Sequence, residues 1–328
     1  TVAILAQAVA VLCSRLRPPA RPPFAITSKL RRHASPLVMR VACLQFAPEH
    51  GRVRENIARA DALLQARGRD LEGLRLLVLP EMAFTGYHWR NGRHIDPFLE
   101  TDEGPTTAWC RRTAARLGCV VCCGLPRRSR QRRLNSMLVA GPEGEVLDIY
   151  DKHFLYDSDK TWAEPGVGFR VLRRLPSIPI GPVGLGICMD INPRDFKESF
   201  DAFEFANFQR QAGSRLIVFS SAWCANHPND PPASFVRDSD AKVAEDTLRY
   251  WLTRLLPLRG ADAHFVCADR VGEEELSLLG RSGDRRRNRF CGCSCVVSLK
   301  DSRVLDALGA SEEGVLVVDI PLAGEQAA

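Results

Sequence analysis

The chain has 328 residues, 45% of them hydrophobic, with 45 basic and 39 acidic side chains. That is long enough for one large α/β domain or two small ones, and ordinary in composition for a folded globular protein. The net charge of +6 does not describe the body, because residues 1–38 carry Arg15, Arg17, Arg21, Lys29, Arg31 and Arg32 and no acid. The remainder is neutral, so a global attraction for nucleic acid or anionic membrane is excluded as its organising property.

Taken in chain order, residues 1–38 read as an Arg/Ala/Pro-rich leader foreign to the rest. Its apolar start, Thr1 to Cys13, is too short to span a bilayer, and the segment has the composition of an organellar presequence. The alternative is an extension ahead of a domain that begins at Met39. On either reading the leader is expected to be disordered or weakly helical and to take no part in chemistry.

From Met39 strands and helices alternate. Met39 to Phe46 is a short apolar strand. Asn56 to Arg67 has Ile57, Ala60, Leu63 and Leu64 at helical spacing. Leu74 to Leu79 is a continuous apolar run, as in a strand covered on both faces. Thr106 to Leu117 reads as a helix. Cys119 to Leu125, Leu134 to Ala140 and Val146 to Tyr150 read as strands, the last two joined by the turn Gly141-Pro142-Glu143-Gly144. Pro182 to Cys188 is a strand, and Pro193 to Ala212 a helix after it. Arg215 to Ser220 and His264 to Asp269 are strands on either side of a loop, Asn226 to Asp240, and a helix, Ala241 to Leu256. Cys293 to Leu299 and Arg303 to Leu308 form a hairpin, and Val315 to Ile320 is the last strand. This pattern predicts mixed sheets layered with helices in one domain, residues 39–328.

Two basic runs, Arg127 to Arg133 and Arg281 to Arg289, fall between strands. No aromatic residues interleave with the arginines, so solvated loops are expected and not a nucleic-acid surface. The chain has 12 cysteines. Cys119-Val-Val-Cys122-Cys123 contains a CxxC, but with the apolar filling of a buried strand, and no second pair or spaced histidines complete a zinc site. Free buried thiols in a reducing compartment are expected, with no zinc site.

Three polar residues stand where strands should simply end: Glu81 after Leu76-Leu-Val-Leu-Pro80, Lys152 after Ile149-Tyr-Asp151, and Cys188 after Gly184-Leu-Gly-Ile187. A free thiol has a pKa near 8.5 and needs a base before it attacks an amide. Glu81, desolvated behind a buried strand, suits that role. Lys152, with the backbone N–H of Met189, can hold the oxyanion of a tetrahedral intermediate. Any one of these residues alone would be read as structural; it is their conjunction that points to amide hydrolysis through a thioester.

Pro80-Glu81, Tyr150-Asp-Lys-His-Phe-Leu155 and Gly186-Ile-Cys-Met-Asp190 resemble the three catalytic signatures of the nitrilase superfamily of carbon–nitrogen hydrolases. The resemblance runs from about Met39 to Pro321. Within it, Leu79-Pro-Glu-Met-Ala-Phe-Thr-Gly-Tyr87, Lys152 to Trp162 and Gly184 to Pro193 are most similar to the protein N-terminal amidases of fungal type. The resemblance implies a four-layer αββα sandwich, a Glu81–Lys152–Cys188 triad and no cofactor. It implies loss of the side-chain amide from N-terminal Asn or Gln of a protein or peptide, with ammonia released. Many members carry a further active-site Glu six positions before the Pro-Gly ahead of the nucleophile strand. Here that position holds Asp159, a shorter acid expected to position Lys152 or to do nothing, with Glu164 as the nearest Glu. The substrate's α-ammonium calls for an acid or carbonyls, and Asp190 and Asp157 are the nearest acids in sequence, each equally readable as a helix cap or a buried hydrogen bond. Trp223 is placed to wall the pocket or to pack in the core.

The alternatives are a small-molecule amidase acting on ω-amides or carbamoyl amides, and a sandwich that serves only as a scaffold. A nitrile substrate is disfavoured by Met189-Asp190, where nitrile enzymes usually have Trp-Glu. The partner expected is a polypeptide N-terminus, with no nucleic acid and no membrane. The chain is expected to be a monomer or homodimer in the cytoplasm, with a mitochondrial form if the leader is a true presequence.

Overall fold

The computed structural model describes residues 38–101, 103–235 and 238–322. The leader lies outside the described residues, except that Val38 already belongs to the first strand.

Two six-stranded sheets stack face to face. In the first, β1 (Val38–Gln45), β2 (Leu74–Val78) and β3 (Val120–Ser129) run parallel, and β4 (Arg132–Ala140) and β5 (Val146–Asp151) continue as an antiparallel meander. The chain's last strand, β14 (Gly314–Pro321), pairs antiparallel with β1. In the second, β7 (Val183–Ile187), β8 (Leu216–Ser221) and β9 (His264–Asp269) are parallel. β6 (Arg170–Leu172) flanks β7, while β12 (Cys295–Ser298) and β13 (Arg303–Ala307) follow β9. A small ribbon of β10 (Glu273–Glu275) and β11 (Arg287–Arg289) stands apart.

Strand alternation builds the layers. On β1, Val41 and Cys43 turn inward to meet Leu185, Ile187, Leu216 and Val218 of the other sheet. Their neighbours Ala42 and Leu44 turn outward, under Leu64 of α1 (Val53–Arg67) and Trp109 of α3 (Pro105–Leu117); the short α2 (Gly92–Ile95) lies between those two in the chain. On β8, Ile217 and Phe219 pack outward against Phe205 of α4 (Glu204–Gln211) and Trp251 of α5 (Asp240–Arg254). A strand with a period of two, buried on both faces, therefore separates a sheet–sheet core from two helix–sheet cores. The result is the αββα order of layers expected from the sequence.

Two expectations fail. The helix expected over Pro193 to Ala212 is only Glu204–Gln211. Asp195 (φ 55°), Phe196 (φ 53°) and Phe203 (φ 46°) adopt left-handed backbone, which an α-helix cannot pass through. The run Arg127 to Arg133 is not a solvated loop. It lies on the paired ends of β3 and β4, with Arg127 on Asp151, Arg128 and Arg133 on Asp96, and Arg132 on Glu164. Paired carboxylates account for four of the five arginines, and Arg130 lies in the exposed turn between the strands.

No described helix is long and apolar enough to cross a membrane. Every described cysteine is free, and all are buried except Cys224.

Candidate active site

Three strands deliver functional residues at their C-terminal ends, where α/β sheets leave room for ligands. Glu81 follows β2, Lys152 follows β5 and Cys188 follows β7. The two sheets are tied together at this end. The Ser220 hydroxyl donates to Leu79 O at 2.8 Å, and the Glu81 N–H donates to Ser221 O at 3.2 Å.

The first two residues meet directly. Lys152 Nζ donates to Glu81 Oε1 and to Asp159 Oδ2, both at 2.6 Å, and all three side chains are buried. An ammonium has three N–H bonds. Two are spent on carboxylates, and the third can be given to a substrate oxygen. Burial works against the charged lysine, but the Asp159 and Glu81 carboxylates outweigh it and hold Lys152 above its ordinary range. Glu81 is raised by burial, and further by the charge of Asp159, with Lys152 opposing.

Asn135, on β4, knits these groups together. Its Nδ2 donates to Glu81 Oε1 at 2.7 Å and Asp159 Oδ1 at 3.0 Å, and its carbonyl accepts from the Lys152 N–H at 2.8 Å. Both side-chain acceptors are carboxylates, so the amide must present its NH2 to them. Asp159 further accepts from the Tyr156 N–H at 3.0 Å and from the Tyr87 hydroxyl at 3.4 Å.

Cys188 sits at a strained corner. Its φ is 41°, a left-handed conformation disfavoured for any residue with a Cβ, between β7 and a single helical turn, Cys188–Ile191. Cys188 as a residue is buried, with 6% of its surface exposed. Burial pushes its thiol well above the usual range, and the Glu81 charge adds to this while Lys152 and the Ala222 N–H oppose it. These surroundings favour the thiol over the thiolate.

The remaining sequence-derived candidates fall on both sides of this constellation. Met189 follows Cys188 in the same turn with its side chain buried. Asp190 does not face a substrate. Its oxygens accept from the Tyr150 hydroxyl (2.7 Å) and from the N–H groups of Ile187 (2.8 Å), Phe154 (2.8 Å) and His153 (3.1 Å). Asp190 thus ties the nucleophile turn to the segment following Lys152. Trp223 packs against Tyr250 and Trp251 at centroid distances of 5.4 and 5.6 Å. Asp157 is exposed, paired with Lys160 and His227. Glu164 pairs with Arg132 at the surface, away from Lys152.

The sequence reading missed Asn135, Tyr87 and Asp269. Asp269 ends β9 and is fully buried. Its Oδ1 accepts from the Trp223 and Arg270 N–H groups, both at 2.9 Å. Glu81 Oε2 accepts from the neighbouring Ala222 N–H at 3.0 Å, so the two carboxylates hang on consecutive amides. Asp269 Oδ2 is buried and accepts no hydrogen bond, although the Ser221 hydroxyl lies near it.

A cleft of about 360 Å³ is lined by Asp157, Ser158, Lys160, Thr161, Asn229 and Arg281 among others; Glu81, Lys152, Asp159 and Cys188 are not among its lining residues. Among the described residues no group of three His, Cys, Asp or Glu side chains is arranged to hold a metal ion.

A carboxylate and an ammonium in contact, with a thiol in their electrostatic reach, are the parts that amide hydrolysis needs. Residues 40–328 match the carbon-nitrogen hydrolase family. The chain belongs to that family. It is a hydrolase acting on carbon–nitrogen bonds of amides. Among its relatives in the family is a protein N-terminal amidase of Schizosaccharomyces pombe, 34% identical over 86% of this chain and 99% of the relative. A protein N-terminal amidase of Saccharomyces cerevisiae is 26% identical over 68% of this chain and 53% of that protein. A crystal structure of an N-terminal amidase with an Asn-Glu-Ala peptide superposes with a TM-score of 0.69 at 19% identity, covering 87% of this chain and 98% of the other. That likeness supports the fold, whose four layers are those of the family.

Proposed function

We propose that this carbon–nitrogen hydrolase removes the side-chain amide from N-terminal Asn or Gln of polypeptides. The full-length similarity to the S. pombe enzyme, at 34% identity, is the observation that carries the reading. The site's chemistry supports it.

In the mechanism proposed, Cys188 Sγ attacks the side-chain carboxamide carbon while Glu81 takes the thiol proton. The developing oxyanion is held by the spare N–H of Lys152 and the backbone N–H of Met189. Glu81 then passes its proton to the departing nitrogen, and the C–N bond breaks to give ammonia and a thioester on Cys188. Glu81 next takes a proton from water, whose oxygen attacks the thioester carbon. The C–S bond breaks, the thiol recovers its proton, and an N-terminal Asp or Glu is released. The raised Glu81 suits repeated exchange of one proton.

Asp269 is assigned to the α-ammonium. Burial pushes its carboxyl well above the usual range, and no cation is paired with its buried Oδ2 among the described residues. An arriving cation would offset both penalties. The cleft lined by Ser158 and Lys160, the chain neighbours of Asp159, is assigned to the rest of the polypeptide. The free thiols agree with a reducing, cytoplasmic setting, which is proposed on that ground.

The test is ammonia release from Asn-starting peptides with free or acetylated α-amines. Loss of turnover on acetylation is expected; equal rates would transfer the activity to small amides.

A further inference from the structure

A buried ion pair that the proposed chemistry does not use joins Arg270, just after β9, to Glu274 on β10. Arg270 Nη1 is 2.5 Å from Glu274 Oε1, and both residues are buried. The Arg270 guanidinium lies over the Phe290 ring at 3.9 Å. Burial works against the charge on Glu274, but Arg270 and then His88 outweigh it and hold the acid at about 2, so it is ionised at neutral pH.

What this carboxylate grips is the turn after Glu81. Glu274 accepts from the Tyr87 N–H at 3.0 and 3.2 Å and from the His88 N–H at 2.8 Å. Gly86 permits the approach. Its φ is +84°, and a Cβ there would fall 3.0 Å from Glu274 Oε1 and 2.8 Å from the His50 ring. Tyr87, fixed at its backbone in this way, reaches the site with its side chain. Its ring centroid is 5.7 Å from Lys152 Nζ and its hydroxyl donates to Asp159 Oδ2.

Glu274 lies on β10, and the hairpin continues into the second basic run. Arg286 donates to Asp230 O, Asn288 to Asn226 O and Arg289 to Asp238 O, while Arg281 donates to Asn229. One hairpin thus holds a wall of the cleft with its arginines and the Lys152 environment with Glu274.

We propose that Glu274 is a positioning residue for catalysis: it fixes Tyr87 against Asp159 and so aims the Lys152 ammonium at the developing oxyanion. The proposal rests on the amidase reading. Its test is steady-state kinetics of Glu274→Gln, Tyr87→Phe and the double variant on an Asn-starting tetrapeptide. A misaimed group costs up to about a hundredfold in rate. Glu274→Gln should therefore lower kcat by about 10- to 100-fold with KM within about twofold, since only transition-state contacts are lost. Tyr87→Phe, which removes a single hydroxyl and leaves the fold intact, should lower kcat in the same direction with KM unchanged. The double variant should be no slower than Glu274→Gln alone, because both changes cut one path. Full kcat in folded Glu274→Gln, full kcat in Tyr87→Phe, or multiplying losses in the double variant would each overturn the proposal. Wild-type turnover of the same peptide is the control: without it the function falls too, whereas a fast variant beside an active wild type removes only the role of Glu274.

Discussion

Lys152 Nζ lies 2.6 Å from Asp159 Oδ2, and this contact gives the shorter acid a place in the site. A Glu was the residue expected at this position, and Asp lacks one methylene. The single helical turn Asp159–Thr161 and the Tyr156 N–H bring the carboxylate close enough to reach the ammonium. Glu81 and Asp159 together bracket one buried cation.

Asp159→Asn should therefore leave the fold but lower kcat by about 10²–10³-fold, the usual cost of disturbing an oxyanion donor. Steady-state ammonia release measures it. Wild-type kcat would remove Asp159 from the mechanism.

The pH dependence follows from Glu81. Burial and the Asp159 charge hold it above the ordinary carboxylate range. A base works only when ionised, so kcat/KM should fall as pH drops through a value above the ordinary carboxylate pKa of about 4.3. In Asp159→Asn the neighbouring negative charge is gone, and the acid limb should move to lower pH. An acid limb at or below the ordinary value in the wild type would contradict the assignment.

The strand ends at Glu81 and Cys188 were legible because largely apolar, buried runs break off abruptly there, whereas β5 before Lys152 is half-buried and carries Asp148 and Asp151, so Lys152 was legible only beside the other two. Asn135 was not. It sits inside a strand, between Leu134 and Ser136, where a polar residue usually marks a solvent face, and its partners lie 54 and 24 positions away. Asp269 and Glu274 escaped for the same reason: their meaning depends on the amides of Trp223 and Tyr87, to which sequence gives no pointer. The helix after Cys188 was overextended because helical spacing of apolar residues does not show where the backbone turns left-handed, as it does at Phe203. The first basic run misled because its acids, Asp96 and Glu164 among them, come from elsewhere in the chain.

Asp269→Asn tests the α-ammonium assignment. Losing one charge-assisted contact should lower kcat/KM for Asn-peptides by about 10- to 100-fold, mostly through KM. Discrimination against acetylated peptides should shrink with it. Unchanged KM would place the α-ammonium elsewhere.

Gly124, on β3, has no room for a side chain. A Cβ there would come 2.5 Å from Glu81 Cα and 2.6 Å from the Met82 nitrogen, both backbone atoms. Gly124→Ala should displace Glu81, destabilising the fold by about 1–3 kcal/mol and abolishing most activity. Thermal melting with parallel kinetics reads both. A variant with wild-type Tm and rate would show that Glu81 tolerates movement.

The most direct test is mass spectrometry of short peptides beginning with Asn, Gln, Asp or Ala, incubated with the wild type and with Cys188→Ala. The account predicts the mass gain of an amide becoming an acid on the Asn or Gln peptides with a free α-amine, with wild type alone. Conversion by Cys188→Ala at the wild-type rate, or no conversion of any free-amine Asn or Gln peptide by an intact wild-type protein, would contradict it.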